Sequence, residues 1–416
     1  MIKRALRDEF VKNNIVLFIG SVTVAFLNYL YHPVLGRLMN VADFGEVQVI
    51  ISLFMLTGVL GGVVKNVIVN ITANEEEGDN QKEVILMLGK LSIYLVLLFS
   101  FLVIVFSNFF RQELNFHSYW PFITLALIIS WSMAFNVRQA VLQGLSRFWE
   151  ISISGAIVSL GRLGFAVIFI YLGWSSFGAI FGLLLAQMLA FYYVFLKTRQ
   201  HLKLNAAKHI KIDGRVKKEL WYGLSILISS IAVTFLYTFD VVLVKYFFSA
   251  DEAGLYSGIA TVGRIIFFLT ASISVVLLSA VKIDKAKKEN LKTLTKGLLL
   301  TISLGGTALL TFYAFHDMVV GLLIGHKYLF YSKYLFKLGI LSFLASIINL
   351  IFVYFFALRN KRILFPSLAA PLFVIILTIF NHETITSVVN NFIFGSIFVL
   401  IALLFLLYKE IRKEEK

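Results

Sequence analysis

The chain has 416 residues, of which 59% are hydrophobic, 15% aromatic and only 15% charged, whereas a soluble domain is about 45–50% apolar and about 25% charged. It carries a net charge of +15 and no cysteine, which excludes thiol catalysis, disulfides and cysteine-based metal sites. The composition predicts an all-α integral membrane protein with no room for a separate soluble domain.

In chain order, a basic tail over 1–12 leads into the first apolar run at 14–35. No small-residue cleavage site follows it, so it reads as a retained first helix rather than a signal peptide. Further runs fall near 44–71, 84–107, 120–142, 150–172 and 176–196. A polar stretch over 197–219 then divides the chain, and six more runs follow near 220–244, 254–281, 296–315, 334–357, 363–380 and 388–408. A bilayer span takes about 20 apolar residues, so the pattern predicts about twelve transmembrane helices. They group as an N-terminal six-helix lobe over 1–196, a basic cytoplasmic linker over 197–219 and a C-terminal six-helix lobe over 220–416. Pro33, Pro366 and Pro371 lie inside runs, where kinks are tolerated.

Lysine and arginine set the orientation. The tails and the links near 72–90, 143–149, 197–219, 282–296 and 358–362 carry 28 of the 38 Lys and Arg, against six in the alternate links. The richer set is expected on the cytoplasmic side, with both termini. The basicity is then a topology signal that also suits anionic headgroups, and it does not call for nucleic acid. The acidic run Glu75–Asp79 reads as a solvated loop. Four basic residues remain inside the runs: Lys65, Arg138, Arg162 and Arg264.

The halves repeat. An offset of 209 residues aligns 24–54 with 233–263 without a gap. Val24, Phe26, Leu27, Gly45 and Ile50 meet Val233, Phe235, Leu236, Gly254 and Ile259, and Asp43 meets Glu252 two residues before the shared glycine. Two such halves are a transporter architecture, with the substrate site expected between them near the midplane.

The stretch LGRLMNVADFGEVQVI resembles the end of the first helix in bacterial polysaccharide exporters of the Wzx type. FDVVLVKYFFSADEAGLYSGIATVGR resembles their C-half signature, an aspartate in the seventh helix before a loop ending in Gly-x-Tyr-Ser. Arg37, Asp43, Gly45, Gly254 and Tyr256 are the gate or motif residues that this resemblance picks out. It implies the MATE-like fold of the multidrug and polysaccharide exporter (MOP) superfamily, with two lobes enclosing a cavity that opens alternately to each side. It also implies a substrate: an oligosaccharide repeat unit joined through pyrophosphate to undecaprenol, flipped across the bacterial cytoplasmic membrane for O-antigen or capsule-like polysaccharide. Membrane lipids and other polysaccharide-assembly proteins are the implied partners, with no cofactor beyond proton or sodium coupling. MurJ-like chains usually carry two further C-terminal helices, which twelve runs do not provide.

Charge inside a bilayer is costly and defaults to function. Arg264 lies ten residues after Gly254 and Arg162 twelve after Glu150, about 15 and 18 Å along a helix at 1.5 Å per residue. Both are expected to line a cationic cavity, where the planar guanidinium suits pyrophosphate; the alternative is a structural pair with a carboxylate or carbonyls. Lys65 and Arg138 lie nearer the cytoplasmic ends, where snorkelling rivals substrate contact. Arg37 and Lys245 read as interfacial anchors. Asp240 either couples transport to an ion or forms a salt bridge with Lys245 or Arg264. Glu46 and Glu150, at helix ends, read as solvated or capping. Gly178 and Gly182 form a GxxxG, and Gly161 and Gly164 also read as packing residues. His316 and His382 lack metal-ligand spacing, so no metal site is expected. Together these features predict a flippase and no enzyme. The alternatives are a MATE-type exporter, whose site should be acidic, and a glycan polymerase, which should carry a larger outer loop.

Overall fold

A computed structural model describes residues 9–74, 79–200, 214–283 and 285–412, with only the course of the chain at 9–19, 21–22, 70–74, 79–86 and 214–222. The start of the basic tail (1–8), most of the acidic run (75–78) and the centre of the basic linker (201–213) lie outside the described residues. The described chain is all-helical, as expected. A bilayer offers no water to satisfy backbone groups, so a run apolar on every face must bond internally as a helix.

The first compact unit covers Met1–Gly223. Its helices are α1 (Glu9–Leu38), α2 (Val41–Asn74), α3 (Asp79–Val105), the short α4 (Ser107–Glu113), α5 (Trp120–Gly144), α6 (Phe148–Tyr171) and α7 (Ser175–Thr198), followed by the start of α8 (Gly214–Thr238). α5 is central and packs against α2, α3 and α7, while α6 pairs with α1 and most extensively with α7. The α6–α7 link shows how the chain turns within three residues. Gly173 takes φ +84, the Gly173 amide bonds the Ile170 carbonyl and the Trp174 amide bonds the Phe169 carbonyl. That is a Schellman ending, which satisfies carbonyls the helix leaves open.

The second unit covers Leu224–Lys416. After the rest of α8 come α9 (Asp240–Phe247), α10 (Ala250–Gly263), α11 (Ile265–Ala280), α12 (Lys287–Ala314), α13 (His316–Leu323), a 3-10 segment (His326–Tyr334), α14 (Leu335–Ala357), a 3-10 turn (Lys361–Ile363), α15 (Leu364–Phe380) and α16 (Ile385–Arg412). Here α14 is central, packing against α10, α11, α12 and α16. α5 and α14 both belong to the fourth run of their half. They lie in the two most buried candidate spans of the described chain, each 61% buried.

Among the described residues, ten helices are long and apolar enough to cross a membrane. The pair α8–α9, bent by 51°, brings the number to eleven, and the first expected run lies in α1. Leu98, Phe101, Tyr171, Phe365 and Phe380 are exposed on helix surfaces. Such apolar faces are a liability in water and the normal contact with lipid. The chain is a multi-pass membrane protein.

Candidate functional site

In the second unit the span α8–α9 breaks at Phe239, leaving the last carbonyls of α8 without helical partners. Arg264, between α10 and α11, supplies them. Its Nε donates to the Tyr237 carbonyl at 2.8 Å, and its Nη2 donates to the Thr238 carbonyl at 3.2 Å and to Asp240 Oδ1 at 3.0 Å. Asp240 opens α9, where a negative charge favours the helix dipole, and its Oδ2 accepts the Tyr256 hydroxyl at 2.6 Å. Asp240 and Arg264 are 1% and 5% exposed, and Tyr256 is fully buried. Of the pairings open to Asp240, the structure forms the one with Arg264. Lys245, expected at the interface, is instead 0% exposed on α9, because that short helix packs against α10 and α16.

In the first unit, three basic side chains sit among neutral partners. Arg162 on α6 donates from Nη2 to the Asn28 carbonyl at 2.6 Å and lies 4.4 Å from the centre of the Tyr31 ring. That ring is held by its own hydroxyl, which donates to the Ala179 carbonyl. Arg162 Nε is buried with no hydrogen-bond partner. Lys65 on α2 donates to Gln139 Oε1 at 2.6 Å, and Gln139 Nε2 donates to Ser154 Oγ at 3.2 Å. Arg138 on α5 donates to Thr198 Oγ1 at 2.9 Å and lies over the Phe195 ring at 4.3 Å. Among the described residues, no carboxylate is paired with Lys65, Arg138 or Arg162, whereas Arg264 has Asp240. A small, partly open recess lies between α2, α3 and α5, lined by Phe54, Thr57, Gly61, Ser132 and Asn136 among others. Gly61 is one helical turn before Lys65 and Asn136 one turn before Gln139, so the Lys65–Gln139 pair continues the faces that line this recess.

The motif residues meet at helix starts. Asn40 Oδ1 accepts the Asp43 amide at 2.7 Å, and Asn40 Nδ2 donates to Asp43 Oδ2 at 2.5 Å. In the other half, Ser249 and Glu252 form a capping box. The recurring acid is thus the third helical residue after a polar cap, a local start signal. Gly45 and Gly254 are buried and Arg37 is exposed at the end of α1.

The surroundings of Asp43 are not legible in the sequence. Glu46, expected to be solvated or capping, is 0% exposed. It accepts the His117 amide and His117 Nδ1, each at 2.8 Å, and the Ser176 hydroxyl. Asp43 also accepts the Ser175 hydroxyl. His117 and Ser176 lie 71 and 130 residues from Glu46, so no local spacing could have announced the cluster.

Residues 10–278 match a family described as polysaccharide biosynthesis protein. No curated protein matches the chain. Among solved structures, a lipid II flippase MurJ in an inward closed conformation has a TM-score of 0.72 at 16% identity, covering 96% of this chain and 87% of that one. An inward-facing MATE family transporter of the MOP superfamily has a TM-score of 0.68 at 13% identity, with 93% and 96% covered. A MOP superfamily transporter from Pyrococcus furiosus, described as having a binding pocket of reverse polarity, has a TM-score of 0.57 at 15% identity, with 95% and 94% covered. At these identities the likeness is one of fold.

Proposed function

The chain belongs to the polysaccharide biosynthesis protein family, and on that premise we propose that it is a flippase. It moves an oligosaccharide repeat unit, linked through pyrophosphate to undecaprenol, across the bacterial cytoplasmic membrane by alternating access, for an O-antigen or capsule-like polysaccharide. The family and a fold similar to a lipid II flippase support a transporter of a lipid-linked glycan. The observation that carries the charge of the cargo is the trio Lys65, Arg138 and Arg162, which has no carboxylate partner among the described residues. Uncompensated cations within spans are stabilised by an anion, and guanidinium binds phosphate oxygens bidentately. Arg162, with one donor buried and unused, is the first contact we assign, and the recess beside Lys65 the second. Arg264 and Asp240 act in this reading through each other, by holding the α8–α9 break. An exporter of organic cations would need a free acidic site deep within a span, and among the described residues the carboxylate placed there, Asp240, is engaged by Arg264, while Asp43 and Glu46 sit at a helix start.

The test is a flipping assay in proteoliposomes loaded with a fluorescent undecaprenyl-pyrophosphate glycan. Protein-dependent transfer between leaflets, competed by unlabelled lipid-linked glycan and unaffected by organic cations, is expected. Transfer of organic cations alone would replace this reading with the exporter. In cells, gene deletion should remove one surface polysaccharide and leave its undecaprenyl-linked unit unflipped inside, whereas accumulation of flipped, unpolymerised units would mark a polymerase.

A further inference from the structure

We propose that Asp43, Glu46 and His117 form a binding site for one divalent first-row cation of the zinc or manganese kind, which nothing in the flippase reading requires. One ligand atom from each of the three lies within 4.8 Å of the others. His117 Nδ1 is 2.8 Å from Glu46 Oε1 and 3.7 Å from Asp43 Oδ1. Ligands held at about 2.0–2.2 Å from a common ion in tetrahedral array sit about 3.3–3.6 Å apart, so these atoms reach ligating positions by small side-chain rotations. Two oxygens and one imidazole nitrogen are a mixed set: imidazole disfavours calcium and magnesium, which take oxygen ligands, and the absence of thiolate disfavours copper(I).

Charge supplies the second argument. Both carboxylates are buried, Asp43 at 7% and Glu46 at 0%, and their one ion-pair partner among the described residues is His117. Two buried carboxylates thus share a single basic partner, and buried acids are normally paired or hold a metal ion. An ion takes the place of the Nδ1 proton, which leaves to solvent as the bond forms. The Ser175 and Ser176 hydroxyls already bond Asp43 and Glu46 and would orient the ligating carboxylates.

The other half is an internal control. Its capping box, Ser249 with Glu252, shows that a helix start of this kind needs only the cap and one acid. By the 209-residue offset, Glu46 corresponds to Leu255. The same backbone feature is therefore built without a buried second carboxylate. Glu46 and its imidazole are an addition to the first half that capping does not explain.

The test uses the full chain in detergent, stripped with chelator and dialysed against Zn2+ or Mn2+ alone, with bound metal counted per chain and thermal unfolding followed in parallel. Wild type should hold one ion per chain and unfold at higher temperature with metal. His117→Ala and Glu46→Gln should each weaken binding at least tenfold and abolish the thermal shift. His117 is 66% exposed at its side chain, so His117→Ala tests the site even if Glu46→Gln fails to fold. No saturable binding in wild type, or an unchanged affinity and shift in His117→Ala, overturns the proposal. Neither result bears on the cargo, which the flipping assay decides separately.

Discussion

Arg264 and Arg162 carry the same side chain into spans of the two units and meet opposite surroundings. Arg264 is joined to a carboxylate and to two carbonyls at a helix break. Removing one partner of such a buried pair costs about 3–5 kcal/mol, because the other charge is left uncompensated. Arg264→Ala should therefore lower the thermal midpoint of the purified protein sharply, and Asp240→Asn in the same chain should recover part of the loss. Additive losses would mean that the two residues do not act as a pair. Arg162 rests on one carbonyl and an aromatic face, so its loss should leave insertion and folding intact while slowing flipping. Arg162→Lys should lie between wild type and Arg162→Ala, since an ammonium keeps the charge and lacks the fork. Equal flipping by all three would remove Arg162 from the substrate path.

Helix α7 shows what a sequence pattern does and does not disclose about an element. The GxxxG of Gly178 and Gly182 predicts a close helix contact, and the structure supplies the partner. A Cβ on Gly182 would lie 2.8 Å from the Ala166 amide nitrogen, and one on Gly178 would lie 2.7 Å from the Phe169 Cβ. A Cβ on Gly164 would meet no neighbouring atom within 4 Å, so spacing alone groups it with the packing glycines. Gly182→Val should destabilise by about 1–3 kcal/mol through overpacking, whereas Gly164→Ala should be neutral or stabilise by up to about 1 kcal/mol through helix propensity. Thermal unfolding of the two variants in one detergent separates them, and equal destabilisation would refute the α6–α7 contact as the reason. Span existence was legible because a run of about 20 apolar residues has few other uses. The break at Phe239 was not, since neither proline nor glycine marks it. Nor were the burial of Lys245 and the Glu46–His117 contact, which depend on helices that meet only in three dimensions.

At the scale of the whole molecule, orientation is a matter of charge. Translocating Lys and Arg across the bilayer is disfavoured, so the richer set of links is expected on the cytoplasmic side. Lys288, at the start of α12, lies in one of the basic links, while Glu383, between α15 and α16, lies in a link of the poorer set. Both residues are exposed. Because the native chain contains no cysteine, a single introduced thiol reports its own location without background. In right-side-out vesicles, Glu383→Cys should react with a membrane-impermeant maleimide, and Lys288→Cys should react only after the bilayer is opened by detergent. The two positions are separated by α12, α14 and α15, with α13 and the 3-10 segments in the links between them. Three crossings place them on opposite sides, so labelling of both from outside would contradict the span count. Reversed labelling, with Lys288→Cys outside, would keep the count and invert the molecule. It would place the Asp43–Glu46–His117 cluster, at the α1–α2 link, on the cytoplasmic side. The labelling pattern therefore decides which compartment the proposed cation site samples as well as where the termini lie.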